Sequence, residues 1–228
     1  MDYKQIQINT SYVEELNRKI MMRKIIIPRF RMCRSTAEVY NGLIGAYKAE
    51  VTYRRMKFND NEQTRYNIYR VAESLTAENP KLGFLLCGSC GNGKTTMVKA
   101  VRSLINFYND CGDRYDDFGE PQLVIKDARQ ICTMATAQNQ APFQELKQIP
   151  MLCVEDIGKE PAEIVSFGNV IKPIVDLIEF RYSEQMYTAM TSNLAPKDFA
   201  DVYGKRIADR LNEMIDIIPF DNTSYRAI

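Results

Sequence analysis

The chain has 228 residues, of which 45% are hydrophobic and 26% are charged, as expected for one globular domain with an appendage or for two small domains. The formal net charge is only +1, so affinity for nucleic acid must come from local basic patches. No apolar run is long enough to span a bilayer and the first residues are not a signal peptide, which predicts a cytoplasmic protein with reduced cysteines and no membrane contact. Because the sequence contains no histidine, Ser-His-Asp and Cys-His catalytic arrangements are excluded.

Residues 1–60 predict a small helical N-terminal region that is distinct from the rest of the chain. One helix is expected to be capped at Ser11 and a second at Ser35, each with a glutamate three residues later. Residues 18–34 carry seven arginines or lysines and no acidic residue. This block is either a surface for a partner protein or DNA, or a solvated face that covers its own apolar neighbours.

Residues 87–96, CGSCGNGKTT, contain the phosphate-loop pattern G-x-x-x-x-G-K-[ST]. The pattern follows a predicted buried strand at 84–86 and precedes an amphipathic helix, which is the context that a phosphate loop requires. Glycines let successive backbone N–H groups turn inward around an anion. Lys94 is expected to reach the β- and γ-phosphates of ATP, and the Thr95 hydroxyl to coordinate Mg²⁺. The predicted ATP-binding residues are Gly88, Ser89, Cys90, Gly91, Asn92, Gly93, Lys94, Thr95 and Thr96.

Cys87 and Cys90 form a C-x-x-C pair, which in other proteins binds zinc or performs redox chemistry. The chain has no second such pair and no histidine to complete a zinc site. Both cysteines also lie within the spacing of the phosphate loop. A packing role is therefore the favoured interpretation.

A second element of a phosphate-loop enzyme is an acidic pair at the end of a neighbouring strand. The apolar stretch Met151–Val154 ends in Glu155 and Asp156. Glu155 occupies the position on the metal side, where it would share Mg²⁺ with Thr95. Asp156 occupies the position that polarises the attacking water.

The order of the predicted elements after residue 60 favours an α/β fold. Strands alternate with helices over residues 61–228, as in a parallel sheet covered by helices on both faces. Residues 163–182 are predicted as one long helix, with a kink at Pro173.

Several short motifs resemble, in their order along the chain, the DnaC-type helicase loaders and their IstB relatives, which are AAA+ ATPases. They are the phosphate loop, LCVEDIG at 152–158, RY at 181–182, TSNL at 191–194, YGKRIADRLNEM at 203–214 and SYR at 224–226. The resemblance covers about residues 60–228 and implies a P-loop NTPase of AAA+ type with a five-stranded parallel sheet. Few residues follow Leu211, so a reduced or absent helical lid is expected. Glu155 departs from the family pattern, which has aspartate there. Because Mg²⁺ requires tight octahedral geometry, either hydrolysis is expected to be slow or Glu155 to act through a water.

The resemblance also implies roles for individual side chains. Asn193 corresponds to the γ-phosphate sensor called sensor 1; the alternative is a turn-capping asparagine. Arg210 corresponds to the arginine finger that acts on a neighbouring subunit, with Arg206 as a competitor on the same helix face and a surface ion pair as the alternative for both. Lys126 and Arg129 lie where the family contacts DNA, although a helix packed on the sheet is the favoured interpretation of a segment with so few cations.

The function implied by the resemblance is to load or assist a replicative DNA helicase on single-stranded DNA, as an ATP-dependent homo-oligomer. An IstB-like helper of a transposase has the same motifs and stays an alternative. Two other classes remain: a nucleotide-gated binding module with negligible hydrolysis, and a small-molecule kinase. The kinase requires an arginine-rich lid that the sequence does not supply.

Overall fold

The computed structural model describes residues 7–23, 28–113, 115, 118–161, 163–166, 168–222 and 224–225. The helices are Thr10–Met21 (α1), Thr36–Tyr53 (α2), Glu62–Thr76 (α3), Lys94–Asp110 (α4), Ala128–Thr136 (α5), Ala141–Lys147 (α6), Pro173–Ser183 (α7), Phe199–Tyr203 (α8) and Lys205–Met214 (α9). The strands are Phe84–Cys87 (β1), Val124–Asp127 (β2), Met151–Ile157 (β3), Ile164–Ser166 (β4), Asn169–Ile171 (β5), Tyr187–Ser192 (β6) and Asp216–Pro219 (β7). None of the described helices is both long and apolar enough to cross a membrane.

The main sheet is parallel and has the strand order β2-β3-β6-β1-β7. Strand β1 leads into the phosphate loop and has β6 on one side and β7 on the other. Because β6 separates β1 from β3, the carboxyl ends of these three strands lie side by side at one edge of the sheet, where ligands bind in open α/β folds. The predicted α/β fold with a five-stranded parallel sheet flanked by helices is confirmed.

The two faces of the sheet are covered by separate hydrophobic clusters. In β1, Phe84 and Leu86 belong to the cluster that contains residues of α2, α3 and α4. Leu85 and Cys87 belong to the cluster that contains residues of α5, α7 and α9. Successive side chains of a strand point to opposite faces, so a continuous apolar run is needed to fill both clusters.

Helices α1 and α2 differ in burial, although both precede residue 60. Val39, Leu43 and Tyr47 of α2 are buried in the same cluster as α4, and α2 packs against both α3 and α4. Helix α1 has no buried residue. The functional division near residue 60 stays a prediction, whereas the packing makes α2 part of the core around the phosphate loop.

The start of α2 has the predicted capping box and the start of α1 differs from its prediction. In α2, the Ser35 N–H donates to the Glu38 carboxylate at 3.0 Å and Ser35 Oγ accepts from the Glu38 N–H at 3.3 Å. In α1, the N-cap is Asn9 rather than Ser11, and its side chain accepts from the Tyr12 N–H at 3.1 Å. Asparagine and serine cap equally well, so the sequence does not choose between them.

The segment predicted as one helix over 163–182 is a hairpin followed by a helix. Strands β4 and β5 pair antiparallel, with Val165 opposite Val170. Gly168, in the turn between them, has a φ of 81°, which favours glycine. Pro173 begins α7 instead of kinking a longer helix, since proline is favoured in the first turn.

Arg181 in α7 is completely buried and joins the helix to the segments around two strands. Its guanidinium donates to the carbonyls of Lys147 at 3.0 Å and Ile149 at 2.7 Å, ahead of β3. It also donates to Thr188 Oγ1 of β6 at 2.8 Å. Burial lowers the pKa of Arg181 to about 10, and the surrounding acceptors compensate for the lost hydration. The first residue of the RY motif therefore has a structural role.

Candidate nucleotide-binding site

The phosphate loop connects the end of β1 to the start of α4. Gly88, Gly91 and Gly93 all have φ in the left-handed range, at 145°, 85° and 94°. A Cβ on Gly93 would collide with the Tyr47 hydroxyl, and one on Gly88 with the Phe220 carbonyl oxygen. The backbone geometry therefore favours glycine at all three positions, and at Gly88 and Gly93 the lack of space for a Cβ adds to it.

Lys94 is held inside the loop by three hydrogen bonds. Its Nζ donates to the carbonyls of Gly88 at 2.7 Å and Ser89 at 2.8 Å, and to Asn92 Oδ1 at 3.0 Å. The residue is only 5% exposed, and burial lowers the pKa of its ammonium group. The loop thus fixes a positive charge among backbone groups that can surround an anion.

The loop is also tied to the segment after β7, which the sequence reasoning did not predict. Buried Asn92 donates through Nδ2 to Phe220 O at 2.5 Å, and Asn222 Nδ2 donates to Asn92 O at 3.2 Å. The Tyr225 N–H donates to Gly91 O at 3.0 Å. Nothing in the spacing of these residues signals the contact, because it depends on where β7 lies in the sheet.

Glu155 lies at the carboxyl end of β3, beside Thr95 at the start of α4. Its Oε1 is buried and has no hydrogen-bond partner among the described residues. Burial raises the pKa of the carboxyl, and the neighbouring Thr95 hydroxyl and Lys99 act in the opposite direction. A buried carboxylate oxygen without a partner, next to a threonine hydroxyl, fits a hard cation such as Mg²⁺.

Asp156 is held in an uncommon backbone conformation at the end of β3. Its φ is 61°, and the pairing of β3 with β6 shifts register at this point. Its N–H donates to Thr191 Oγ1 at 2.9 Å. Its Oδ2 lies 2.9 Å from Nζ of Lys159, a residue that the sequence reasoning did not assign. Left-handed backbone at a non-glycine residue often marks a functional position.

The structure brings Asn193 to the same site. It follows β6 directly and lines one cavity together with Lys94, Thr95 and Asp156. The predicted phosphate-loop, acidic and sensor residues thus converge at the edge formed by β1, β6 and β3.

The opposite wall of this cavity comes from the N-terminal half of the chain. Tyr47 of α2, Arg54 directly after α2 and Thr64 of α3 line it, and Tyr225 near the end of the chain joins them. Arg54 Nη1 donates to Thr96 Oγ1 at 3.2 Å, and the hydroxyls of Thr64 and Tyr225 lie 2.6 Å apart. Burial raises the pKa of Tyr47. This wall offers aromatic and hydroxyl groups that could contact a nucleoside. The spacing of apolar residues in α2 did not predict that this helix lines the cavity.

Arg210 and Arg206 on α9 both contact Glu179 of α7. Arg210 Nη1 lies 2.7 Å from Glu179 Oε1, and the guanidinium lies 5.1 Å from the ring centre of Tyr182. Arg206 Nε lies 3.2 Å from the same carboxylate oxygen. The Arg206 side chain is 73% exposed and that of Arg210 is 19% exposed. Neither arginine lines this cavity.

The candidates for DNA contact, Lys126 and Arg129, do not line this cavity. Lys126 is half-buried in β2, and Arg129 is exposed at the start of α5, where its Nε donates to Lys159 O at 3.2 Å. Cys87 is buried, and burial raises the pKa of its thiol to about 11. Cys90 is exposed and lines the cavity. Arg226 of the SYR motif lies outside the described residues.

No protein-family model and no curated protein sequence matches the chain. Solved structures do match. DnaI has a TM-score of 0.55 and 20% identity, covering 74% of this chain and 87% of DnaI. The DnaC helicase loader has a TM-score of 0.54 and 18% identity, covering 72% and 93%. This chain therefore shares the fold of these two solved structures.

A third match extends this likeness to a replication initiator. DnaA bound to AMPPCP and single-stranded DNA has a TM-score of 0.50 and 18% identity, covering 73% of this chain and 49% of DnaA. The resemblance drawn from the order of the motifs is therefore confirmed as a likeness of fold with the helicase loaders. At these identities the likeness defines the architecture, and the activity has to be argued from the site.

Proposed function

We propose that the protein is an AAA+ ATPase that binds Mg-ATP and loads or assists a replicative DNA helicase. One observation carries the proposal. Lys94 and Thr95 of the phosphate loop, the acidic pair Glu155 and Asp156, and Asn193 line or border a single cavity at one edge of the sheet. Binding of AMPPCP by the structurally similar DnaA supports a nucleotide as the ligand.

Each side chain has a role that its chemistry supports. Lys94 supplies a point charge to the β- and γ-phosphates. Thr95 and Glu155 are the residues that would hold Mg²⁺, which when bound neutralises charge on the phosphates. Asp156 accepts a hydrogen bond from the attacking water, and Asn193 donates its amide to the γ-phosphate. Because Glu155 is one methylene longer than aspartate, slow turnover is expected.

The partner proposal rests on α1 and on the names of the similar structures. Tyr12, Val13, Leu16 and Ile20 are large apolar side chains of α1 that stay exposed. A helix with an exposed apolar side suits a protein groove better than solvent. Since DnaI and DnaC are the structural neighbours and DnaC is a helicase loader, a helicase is the partner that we propose for this helix.

The basic block 18–34 contributes less to nucleic-acid binding than its charge suggests. Arg34 forms two hydrogen bonds with Asp113, at 2.7 and 2.8 Å, and Arg29 donates to Pro80 O at 3.0 Å. These two side chains therefore serve internal packing. Contact of this protein with single-stranded DNA stays a proposal, supported by the DNA-bound DnaA structure.

A nucleotide-gated binding module with negligible hydrolysis is the second candidate, and one contact favours it. The proposed water-activating carboxylate of Asp156 forms an ion pair with Lys159, with Oδ2 and Nζ 2.9 Å apart. If that pair persisted with ATP bound, the nucleotide would act as a switch without being turned over.

Phosphate release from ATP, with and without single-stranded DNA, tests the proposal. We expect slow release that DNA accelerates, and Lys94→Ala should abolish it together with nucleotide binding, because the loop loses its buried positive charge. Release without an added acceptor argues against a small-molecule kinase. No release under any condition favours the switch, and full nucleotide affinity in Lys94→Ala refutes the assignment of the site.

A pull-down from the source cell identifies the partner. The chain with α1 intact should retain a hexameric helicase, and the matched variant Leu16→Asp/Ile20→Asp should lose it because charges replace the exposed apolar side chains. Recovery of a transposase instead of a helicase would support the IstB-like alternative.

A further inference from the structure

Lys159 reaches the cavity of the phosphate loop and has no role in the function proposed above. It follows β3 by two residues, and its side chain lines the cavity with Lys94 and Asn193. Its Nζ lies 2.9 Å from Asp156 Oδ2. Among the described residues that line the cavity, Asp156 is the only acidic one, so Lys159 is paired with the single carboxylate available there.

The backbone that carries Lys159 is fixed on both sides. Gly158 has a φ of 88°, which favours glycine, and a Cβ there would lie 2.6 Å from Leu194 Cδ1 in the segment after β6. The Gly158 N–H also donates to Glu160 Oε2 at 2.9 Å. On the far side, Arg129 Nε donates to Lys159 O at 3.2 Å. The position of Lys159 at the cavity is therefore set by the packing of the turn.

The side chain of Lys159 is much less constrained than its backbone. It is 37% exposed, and its partner Asp156 is 31% exposed. An ion pair with this exposure contributes little to stability, so it is easily exchanged for a stronger partner. The γ-phosphate of ATP carries more negative charge than one carboxylate, and hydrogen bonds to ionised phosphate are among the strongest in proteins.

We propose that Lys159 is a second γ-phosphate-binding residue, which leaves Asp156 when ATP binds. The proposal rests on the function proposed above and deepens it. One movement of the side chain adds a cation at the γ-phosphate and leaves the Asp156 carboxylate free to accept a hydrogen bond from water. ADP has no γ-phosphate, so with ADP bound the Lys159–Asp156 pair stays intact.

Equilibrium binding of Mg-ADP and of Mg-AMPPCP, which is not hydrolysed, tests this proposal without relying on activity. Lys159→Ala should weaken AMPPCP binding by about tenfold and change ADP binding by less than about twofold, since only the analogue offers the third phosphate. Lys159→Arg keeps the charge and should retain most of the AMPPCP affinity. Lys172→Ala is the matched control, because Lys172 pairs with Glu163 at 2.6 Å and does not line the cavity.

Asp156→Asn supplies an independent measurement of the same exchange. Loss of the carboxylate charge releases Lys159, so AMPPCP should bind more tightly than to the wild-type protein while ADP binding changes little. In the double variant Asp156→Asn/Lys159→Ala this gain should disappear.

Three outcomes would overturn the proposal. The first is an unchanged affinity of Lys159→Ala for AMPPCP. The second is an equal loss of affinity for AMPPCP and ADP in Lys159→Ala, when circular dichroism shows that this variant folds normally. The third is a gain of AMPPCP affinity in Asp156→Asn that remains in the double variant without Lys159. If Lys159→Ala does not fold, Lys159→Met keeps the aliphatic stem and takes its place. A wild-type protein that binds neither nucleotide refutes the proposed function itself, whereas a wild-type protein that binds both nucleotides, with unchanged AMPPCP affinity in Lys159→Ala, refutes only this inference.

Discussion

Arg181 and Glu155 both carry buried charged groups, but they differ in how far those groups find hydrogen-bond partners. Arg181 is surrounded by carbonyl and hydroxyl acceptors, so its buried charge links α7 to the strands. Glu155 keeps one oxygen without a partner, and burial raises the pKa of its carboxyl. Buried polar groups without partners are destabilising, and they persist where function needs them. Glu155 therefore fits a binding role and Arg181 a structural one.

We predict that Glu155→Gln stabilises the protein in the absence of nucleotide and that the gain depends on pH. Because the folded-state pKa of Glu155 is raised, the wild-type protein loses stability as the pH rises from the ordinary value of 4.5 through the raised value. Glutamine has no charge to desolvate. The free energy of unfolding from urea titrations should therefore favour the variant more at about pH 8 than at about pH 5.

The control for this prediction is Glu145→Gln, which changes an exposed carboxylate on α6. It should not show a stability gain that grows with pH. In the same Glu155→Gln samples, Mg²⁺ should no longer increase ATP affinity. Lower stability of Glu155→Gln at the higher pH would contradict the proposed origin of the pKa shift.

Residues of the site could be predicted from the sequence where the residues that act together are close to each other along the chain. The phosphate loop spans ten consecutive residues with fixed spacing, and Glu155 and Asp156 follow an apolar strand. Lys159, Asn222 and Tyr225 could not be predicted. Lys159 depends on a turn packed against Leu194, and the other two depend on β7 lying beside β1.

At the scale of elements, the hairpin β4–β5 shows the limit of periodicity. Apolar residues at 164, 165, 170 and 171 fit a helical stripe, and they fit paired strands equally well. Gly168, with its positive φ, was the local signal for a turn, and Pro173 was the signal for a helix start. Helices whose apolar positions repeat over several turns, such as α4, were predicted correctly because no competing pattern fits them.

We predict that α1 does not contribute to the stability of the fold. Removal of the chain through Met22 should leave the Tm and the ATP affinity unchanged, because α1 has no buried residue. The same truncation should abolish capture of the helicase. Thermal unfolding, nucleotide titration and the pull-down measure these three properties on one protein.

Leu43→Ala in α2 is the contrasting variant. Leu43 is completely buried against the cluster around α4, so its truncation should cost about 2–5 kcal/mol. A large decrease in Tm on removing α1 would contradict the conclusion that α1 does not stabilise the fold. An unchanged Tm in Leu43→Ala would contradict the conclusion that α2 belongs to the core.

At the scale of the molecule, the cavity contains groups for ATP but no arginine from α9. Arg210 and Arg206 both lie outside it and both contact Glu179. A cation that completes the site from α9 must therefore come from another subunit. Arg210 would have to leave Glu179 and Tyr182 to do so, and the contact between subunits is the event that would draw it away.

We predict that ATP hydrolysis per subunit rises with protein concentration or with DNA that aligns subunits. Arginine fingers contribute on the order of 10³–10⁵ in rate. Arg210→Ala and Lys94→Ala should each be inactive alone and partly active when mixed, because the first keeps an intact phosphate loop and the second keeps its finger. Steady-state phosphate release across mixing ratios measures this recovery.

Arg206→Ala, mixed with Lys94→Ala in the same way, serves as the parallel measurement. It should be active without mixing if Arg210 is the finger. If ATPase activity recovers on mixing only for Arg206→Ala, Arg206 and not Arg210 is the arginine finger. Full ATPase activity of dilute monomers would rule out any action between subunits.

The position of β1 between β6 and β7 has a consequence for the order in which the protein is made. Strand β1 leaves the ribosome before either neighbour, and β7 is the last strand of the sheet. Its backbone N–H and C=O groups stay unpaired until both later strands emerge, and non-local pairing of this kind folds slowly. The phosphate loop has no rigid base before then. If nucleotide is the ligand, as proposed, it should act on the finished sheet and stabilise the native state by mass action, and not as a template for folding.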